Sequence, residues 1–201
     1  MKSREIVLAT NNKNKVIELK EIFSEFDILT LNDIGFKDEI IEDGTTFAEN
    51  ALIKARVIHK YTNKTVIADD SGICVNALKG APGIFSARYY SEKATDLENN
   101  QKLLSKMLDI DTSNRGAKYV SAAALILENG DEFVEYGEIF GQIAFDMIGN
   151  NGFGYDPLFI IDSLNKRMSQ ITLAEKNKIS HRKIAFEKLR PTILNFFDIK
   201  K

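Results

Sequence analysis

Four residues, Glu128-Asn129-Gly130-Asp131, constrain this chain more than any other stretch. Asn-Gly between two strand-like runs is the strongest short hairpin signal, because the tight turn needs positive φ at its central positions. The flanking runs, residues 118–127 and 132–143, are long enough to be full strands. A chain carrying such a hairpin is neither a helical bundle nor a purely parallel sheet. Elsewhere helix and strand signals interleave. Ile6-Val7-Leu8-Ala9 is a buried-strand run, residues 10–15 are polar, and Val16, Leu19, Ile22, Phe23 and Phe26 then recur at helical spacing. Further strands are expected over 28–31, 65–68 and 158–161, the second of them ending at Asp69-Asp70-Ser71-Gly72.

Three helix starts pair a Thr with a Glu three residues on: Thr46/Glu49, Thr95/Glu98 and Thr172/Glu175. Each pair can cap a helix reciprocally. The first helix would bury Phe47, Ala51, Leu52, Ala55 and Ile58, and the second Leu97, Leu103, Leu104, Met107 and Leu108. A last helix starts at about His181 and is bent or broken at Pro191, which lacks an amide hydrogen. No repeat, linker or low-complexity segment divides the chain. The expectation is an α/β fold, a mixed sheet with flanking helices.

Composition sets the function classes. The 201 residues suit one domain or one domain in two lobes, so 1–201 is read as a single unit of function. With 27 Lys+Arg against 29 Asp+Glu the net charge is −2, and no overall basic field draws the chain to nucleic acid or membrane. One cysteine cannot form an internal disulfide, which points to an intracellular protein. The start Met1-Lys2-Ser3-Arg4-Glu5 opens into too short an apolar run for a signal peptide. Residues 119–127, the longest nearly apolar stretch, make about half a membrane span. A soluble cytoplasmic protein is expected.

Several chemistries are missing. No G-x-x-x-x-G-K-[ST] loop, G-x-G-x-x-G fingerprint or G-x-S-x-G elbow occurs, and Cys74, His59 and His181 cannot build a typical zinc site. Charge is segregated instead. Residues 38–50 hold five acids (Asp38, Glu39, Glu42, Asp43, Glu49) and no base; residues 173–190 hold six bases (Lys176, Lys178, Arg182, Lys183, Lys188, Arg190) and two acids. These are either two halves of a polyphosphate site or two solvated faces. Asp69-Asp70 at a strand's carboxyl end suits Mg²⁺, which takes one or two carboxylates plus substrate phosphates. The plain alternative is a turn with Gly72 at positive φ. Thr10, Asn11, Asn12, Lys13, Asn14 and Lys15, between strand and helix, offer amides and two ammonium groups to phosphate, or form an ordinary polar loop. Residues 152–157, Gly-Phe-Gly-Tyr-Asp-Pro, either stack a base or turn their aromatics into the core. His181-Arg182 with Lys176 would clamp phosphate, or His181 simply starts its helix.

Taken in order, these segments resemble the inosine/xanthosine triphosphate pyrophosphatase family. Thr10, Asn12 and Lys15 match T/S-x-N-x-x-K. Gly44, Thr46, Phe47, Glu49, Asn50, Ala51, Lys54 and Ala55 match G-x-T-F-x-E-N-A-x-x-K-A. A-D-D-S-G lies at 68–72, G-x-P-G-x-x-S-A-R-Y at 80–89, G-F-G-Y-D-P at 152–157 and E-K-N-x-I-S-H-R at 175–182. Gln170 stands where many relatives carry an acid, and Asn11 and Asn14 replace frequent glycines; neither change touches a motif residue.

The resemblance implies a long central mixed sheet flanked by helices, in two lobes with the nucleotide cleft between them. It implies Mg²⁺-dependent hydrolysis of ITP, dITP or XTP to the monophosphate and pyrophosphate, by a homodimer. Asp70 would be the acid–base residue and a metal ligand, and Glu42 the second metal ligand. Thr10, Asn11, Asn12, Lys13, Asn14, Lys15 and Lys176 would bind the nucleotide, chiefly its phosphates. Ser71, then Phe153, Gly154, Tyr155, Asp156, and His181 with Arg182 would complete the substrate site, the last two groups towards the base, with Arg182 or His181 donating to the purine 6-oxo group. Two other readings stay open: a pyrophosphatase for modified pyrimidine triphosphates, and a nucleotide- or RNA-binding protein without chemistry.

Overall fold

The computed structural model describes residues 4–198. Met1, Lys2 and Ser3, part of the start inspected above for a leader, lie outside the described residues, as do 199–201 of the expected 1–201 domain. Among the described residues seven strands, β1 (Glu5–Leu8), β2 (Asp27–Leu29), β3 (Val66–Val75), β4 (Gly116–Ile126), β5 (Glu132–Ile143), β6 (Phe159–Ile161) and β7 (Lys166–Arg167), interleave with five α-helices. The helices are α1 (Lys13–Ile22), α2 (Phe47–Thr62), α3 (Asp96–Lys106), α4 (Leu173–Ile179) and α5 (His181–Phe196). The sheet order is β2-β1-β3-β4-β5-β6-β7. β1 runs parallel to β2 and β3, whereas β6 is antiparallel to β5 and β7, so the sheet is mixed. β4 and β5 are joined by the Asn129-Gly130 turn, with Gly130 at φ 91°.

Two compact units divide the chain. The first takes the chain through Asp70, residues 121–137 and residues from Arg182 onward; the second takes residues 71–120 and 138–181. In the first unit the period-2 alternation of strands sorts apolar residues onto two faces. Ile6 and Leu8 of β1, Ile67 of β3, and Ala123 and Leu125 of β4 pack with Leu19 and Ile22 of α1 and Phe186 and Leu189 of α5. Their neighbours Val7, Val66, Ala68, Ala124 and Ile126 pack with Ala51, Ala55 and Ile58 of α2. In the second unit, Ile73 and Val75, Tyr119, Ile139 and Ile143, and Phe159 and Ile161 share a core with Leu103 and Met107 of α3.

All three Thr–Glu capping boxes are present. Four expectations are corrected. β3 does not end at Asp69-Asp70-Ser71-Gly72 but runs on to Val75. Asp, Ser and Gly disfavour strands, and pairing with neighbouring strands overrides that preference here. On α3, Leu97 is 55% and Leu108 77% exposed, and Asn99 and Asn100 are buried in their place. Met107 caps α3, so helical spacing no longer governs Leu108. α1 ends at Ile22, and Phe23 and Phe26 are buried beyond it. α5 runs through Pro191 to Phe196 unbroken. Among the described residues no helix is long and apolar enough to cross a membrane.

Candidate active site

Asp69 and Asp70 are adjacent in a strand, so their side chains leave it on opposite faces. Asp69 follows Ile67 towards α1 and α5; Asp70 follows Ala68 towards α2. That alternation gives two neighbouring carboxylates different partners, all within the first unit.

Asp69 is fully buried. Its Oδ2 lies 3.0 Å from Lys15 Nζ and 3.1 Å from both Nε and Nη2 of Arg182. Arg182, also buried, donates through Nη1 to Glu18 of α1. Burial would raise the Asp69 carboxyl, but the charges of Arg182, Lys15 and Lys54 hold it below the usual carboxylate range. Burial likewise works against the Arg182 charge, and Asp69 and Glu18 more than compensate. At Lys15 burial prevails and lowers its pKa, although Asp69 opposes that. The Arg182 fork, expected to meet substrate, is thus engaged by Asp69 and Glu18.

Asp70 keeps 13% of its side chain exposed. Asn50 donates from Nδ2 to Asp70 Oδ2 at 3.2 Å and accepts the Gly44 amide on Oδ1 at 2.9 Å. Lys54, one turn on, contacts Glu42 Oε2 and lies 3.9 Å from Asp70 Oδ1. Burial raises the Asp70 pKa, against the pull of Lys54 and Lys15. Among the described residues no group of three or more His, Cys, Asp or Glu side chains could hold a metal ion. Glu42 and Asp70 nevertheless converge on one cationic group, the Lys54 ammonium. Two hard carboxylate donors around a single positive charge fit Mg²⁺, which keeps several of its waters.

The 10–15 loop opens α1. Asn12 caps the helix, its Oδ1 accepting from the amides of Asn14 at 3.0 Å and Lys15 at 3.3 Å. Thr10 Oγ1 accepts from the Asn12 amide at 3.2 Å. Asn11 and Lys13 are exposed. The capping role and an exposed cation, Lys13, coexist in one loop.

In the second unit the organiser is Asp156, 2% exposed. Its Oδ1 accepts from Tyr119 Oη at 3.2 Å, and its Oδ2 from Lys176 Nζ at 2.7 Å and the Phe153 amide at 3.0 Å. The Tyr119 ring stacks on His181, 4.8 Å between centroids and 7° from parallel. Burial, reinforced by Asp156, pushes the Tyr119 phenol well up. Lys176 Nζ lies 4.5 Å from the Phe153 ring centroid. Lys176, expected chiefly at the phosphates, is therefore grouped with Asp156 and Phe153. Gly152 has φ 79°, and a Cβ there would meet Asp156 Oδ2 at 2.0 Å, so only glycine lets the loop fold onto this carboxylate. The two aromatics divide: Tyr155 is buried in the core and donates to Ser86 O at 2.8 Å, whereas Phe153 stays half-buried. Ser71 is half-buried on β3.

Roles for Asn50, Lys54, Glu18 and Tyr119 did not emerge from the sequence, and Asp69, read there beside Asp70 as a carboxylate for Mg²⁺, instead meets Lys15 and Arg182. Asn50 and Lys54 carried one signal: polar residues at i, i+4 inside the apolar stripe of α2, both buried. Of the other groups weighed for catalysis, His59 Nδ1 lies 2.8 Å from Lys64 O, and Cys74 is half-buried with a thiol pKa raised by burial.

The family model of the Ham1 family matches residues 6–192. A dITP/XTP pyrophosphatase of Clostridium perfringens is 41% identical over 198 residues, covering 94% of this chain and 97% of that protein. One from Bacillus subtilis is 44% identical over 188 residues, covering 92% and 95%. Among solved structures, the Staphylococcus aureus Ham1 protein superposes with a TM-score of 0.85 at 40% identity, covering 95% of this chain and 98% of that one. A HAM1 protein from Coxiella burnetii gives the same values.

Proposed function

The chain belongs to the Ham1 family, and from that premise we propose that it hydrolyses ITP, dITP and XTP to the monophosphate and pyrophosphate, clearing deaminated purines from the nucleotide pool. The observation that carries the reading is the convergence of Glu42 and Asp70 on one positive charge, with Asn50 fixing Asp70 from the side.

Glu42 and Asp70 would hold Mg²⁺. When bound, the ion supplies charge neutralisation for polyphosphate and acidification of water. Asp70 accepts the proton of the attacking water, and the Asn50 hydrogen bond to Oδ2 orients its carboxylate. Lys54 moves its charge from the carboxylates to the phosphates as substrate arrives. The residues Thr10, Asn11, Asn12, Lys13, Asn14 and Lys15 bind the phosphates, with Lys13 supplying the exposed ammonium. Asp69 holds Lys15 from behind, so that lysine is positioned before substrate binds.

Phe153 stacks on the purine, with Lys176, Gly154 and Ser71 beside it, while Asp156 and the core-buried Tyr155 hold the loop that carries Phe153. Because Asp69 and Glu18 engage the Arg182 fork, the 6-oxo donor is assigned to His181, with Arg182 supporting it through the chain. A buried donor facing an adenine amino group would go unpaired, at a cost of about 1–3 kcal/mol. The assembly is proposed to be a cytoplasmic homodimer, tested by light scattering and cell fractionation.

The test is pyrophosphate release from ITP, XTP, dUTP, ATP and GTP, with Mg²⁺ and with EDTA. Release from ITP and XTP alone, abolished by EDTA, is the expected result. Equal release from ATP and GTP would sink the account of the base pocket. Folded protein that binds ITP without releasing pyrophosphate would sink the enzyme reading.

A further inference from the structure

We propose that Asp96 and Asn100 of α3 are positioning residues for the aromatic loop at 152–156, setting where Phe153 meets the base. The proposal rests on the reading that this loop takes the purine. Asp96 Oδ2 accepts the Gly154 amide at 2.7 Å, and Asn100 Nδ2 donates to Gly154 O at 2.7 Å. One helical turn therefore grips both polar groups of a single loop residue, since side chains at i and i+4 share a helix face. The gripped residue is a glycine at φ 61°; without a Cβ to restrict its backbone, contacts from outside must hold it in one conformation. Asn100 Nδ2 also donates to Asp96 O at 2.7 Å, which locks the two arms of the grip together.

The adjacent residue does the same for another segment. Asn99 Oδ1 accepts the Tyr90 amide at 2.8 Å, and its Nδ2 donates to Ala87 O at 3.0 Å. Lys102 Nζ donates to Tyr89 O. The two segments are tied to each other by Tyr155 Oη on Ser86 O at 2.8 Å. α3 is thus a jig: Asn99 and Asn100 are both buried, and both spend amide hydrogens on loop backbone. A core helix needing only stability would bury leucines there. The two asparagines instead give fixed polar anchors, and the neighbouring Phe153 amide is held separately by Asp156 at 3.0 Å.

The variants are Asp96→Ala, Asn100→Ala and the conservative Asp96→Asn, whose amide oxygen still accepts the Gly154 amide. The first readout, independent of activity, is hydrogen exchange at the Gly154 and Phe153 amides. Faster exchange in both Ala variants, with protection restored in Asp96→Asn, is expected; unchanged exchange would overturn the proposal. The second readout is kinetic. Both Ala variants should lose about tenfold or more in kcat/KM for ITP, mostly through KM, with reduced preference for ITP over ATP. Inhibition by pyrophosphate, which has no base, should stay at the wild-type level. Lower melting temperature with unchanged KM and preference would show a merely structural grip and overturn the positioning role. Wild-type protein inactive on ITP would instead refute the function proposed above, leaving the exchange data to decide this one.

Discussion

Asp69→Asn and Asp70→Asn change adjacent residues identically and should have opposite consequences for stability. Asp69 Oδ2 lies 3.0 Å from Lys15 Nζ and 3.1 Å from Arg182, with no exposure. At that separation and an effective dielectric constant of about 20, each attraction is worth about 5 kcal/mol before desolvation. Desolvation of the ions offsets much of this, but removing one partner leaves the others buried and uncompensated, at about 3–5 kcal/mol. Glu18 still faces Arg182, so the lower end of that range applies. A loss of about 3 kcal/mol lowers the melting temperature of a chain this size by roughly 10 °C. Asp70 differs in sign. Burial raises its pKa, so its charge opposes folding in the metal-free chain. Asp70→Asn should therefore melt at or slightly above the wild type while losing nearly all turnover. Urea and thermal unfolding of both variants and of Glu18→Gln/Asp69→Asn, without metal, provide the assay. In the double variant Arg182 has neither acid, and the loss should exceed the sum of the single losses. If Asp69→Asn stays within about 0.5 kcal/mol of wild type, or Asp70→Asn costs as much, the separation into two faces is refuted.

Asn50→Ala removes the hydrogen bond that Asp70 Oδ2 accepts from Asn50 and strands the Gly44 amide, so kcat should fall with KM for ITP nearly unchanged; steady-state kinetics showing the reverse would remove Asn50 from the orientation of Asp70. On α3, Leu103→Ala should cost about 2–5 kcal/mol by urea unfolding, because Leu103 is fully buried, while Leu97→Ala stays within about 0.5 kcal/mol. The capping carboxylates Glu49, Glu98 and Glu175 have pKa values lowered by hydrogen bonds from Thr45, Thr95 and Thr172. Their contribution is present above the ordinary Glu range and lost as pH falls through the lowered values, so replacing all three with Gln should flatten the acid limb of a stability–pH curve.

The parts legible in the sequence were those governed by local rules. Thr46, Thr95 and Thr172 cap helices because a hydroxyl and a Glu three residues on are sufficient, and Asn129-Gly130 turns because its backbone permits little else. The apolar run at 65–68 was equally legible as a strand, but Asp-Asp-Ser-Gly reads locally as a turn, and only the pairing of β3 extends the strand through it. Once β3 is extended, the partners of Asp69 follow from its face. The buried Asn50, Lys54, Asn99 and Asn100 were hidden for a different reason. A polar residue on an apolar stripe reads as an imperfection until the chain folds and supplies the backbone group or carboxylate it satisfies.

The opposed faces of Asp69 and Asp70 also bear on how such a chain can vary over generations. Which aspartate anchors the buried cations and which meets Glu42's cation is decided by counting residues along β3, odd or even. Substitutions around the pair leave that parity intact, so lineages can change many neighbours and keep both functions. A one-residue insertion or deletion between Ile67 and Asp69 would swap the two acids at a stroke, and every residue following them in the strand. Relatives should therefore differ in length in the connecting loops and almost never inside this strand.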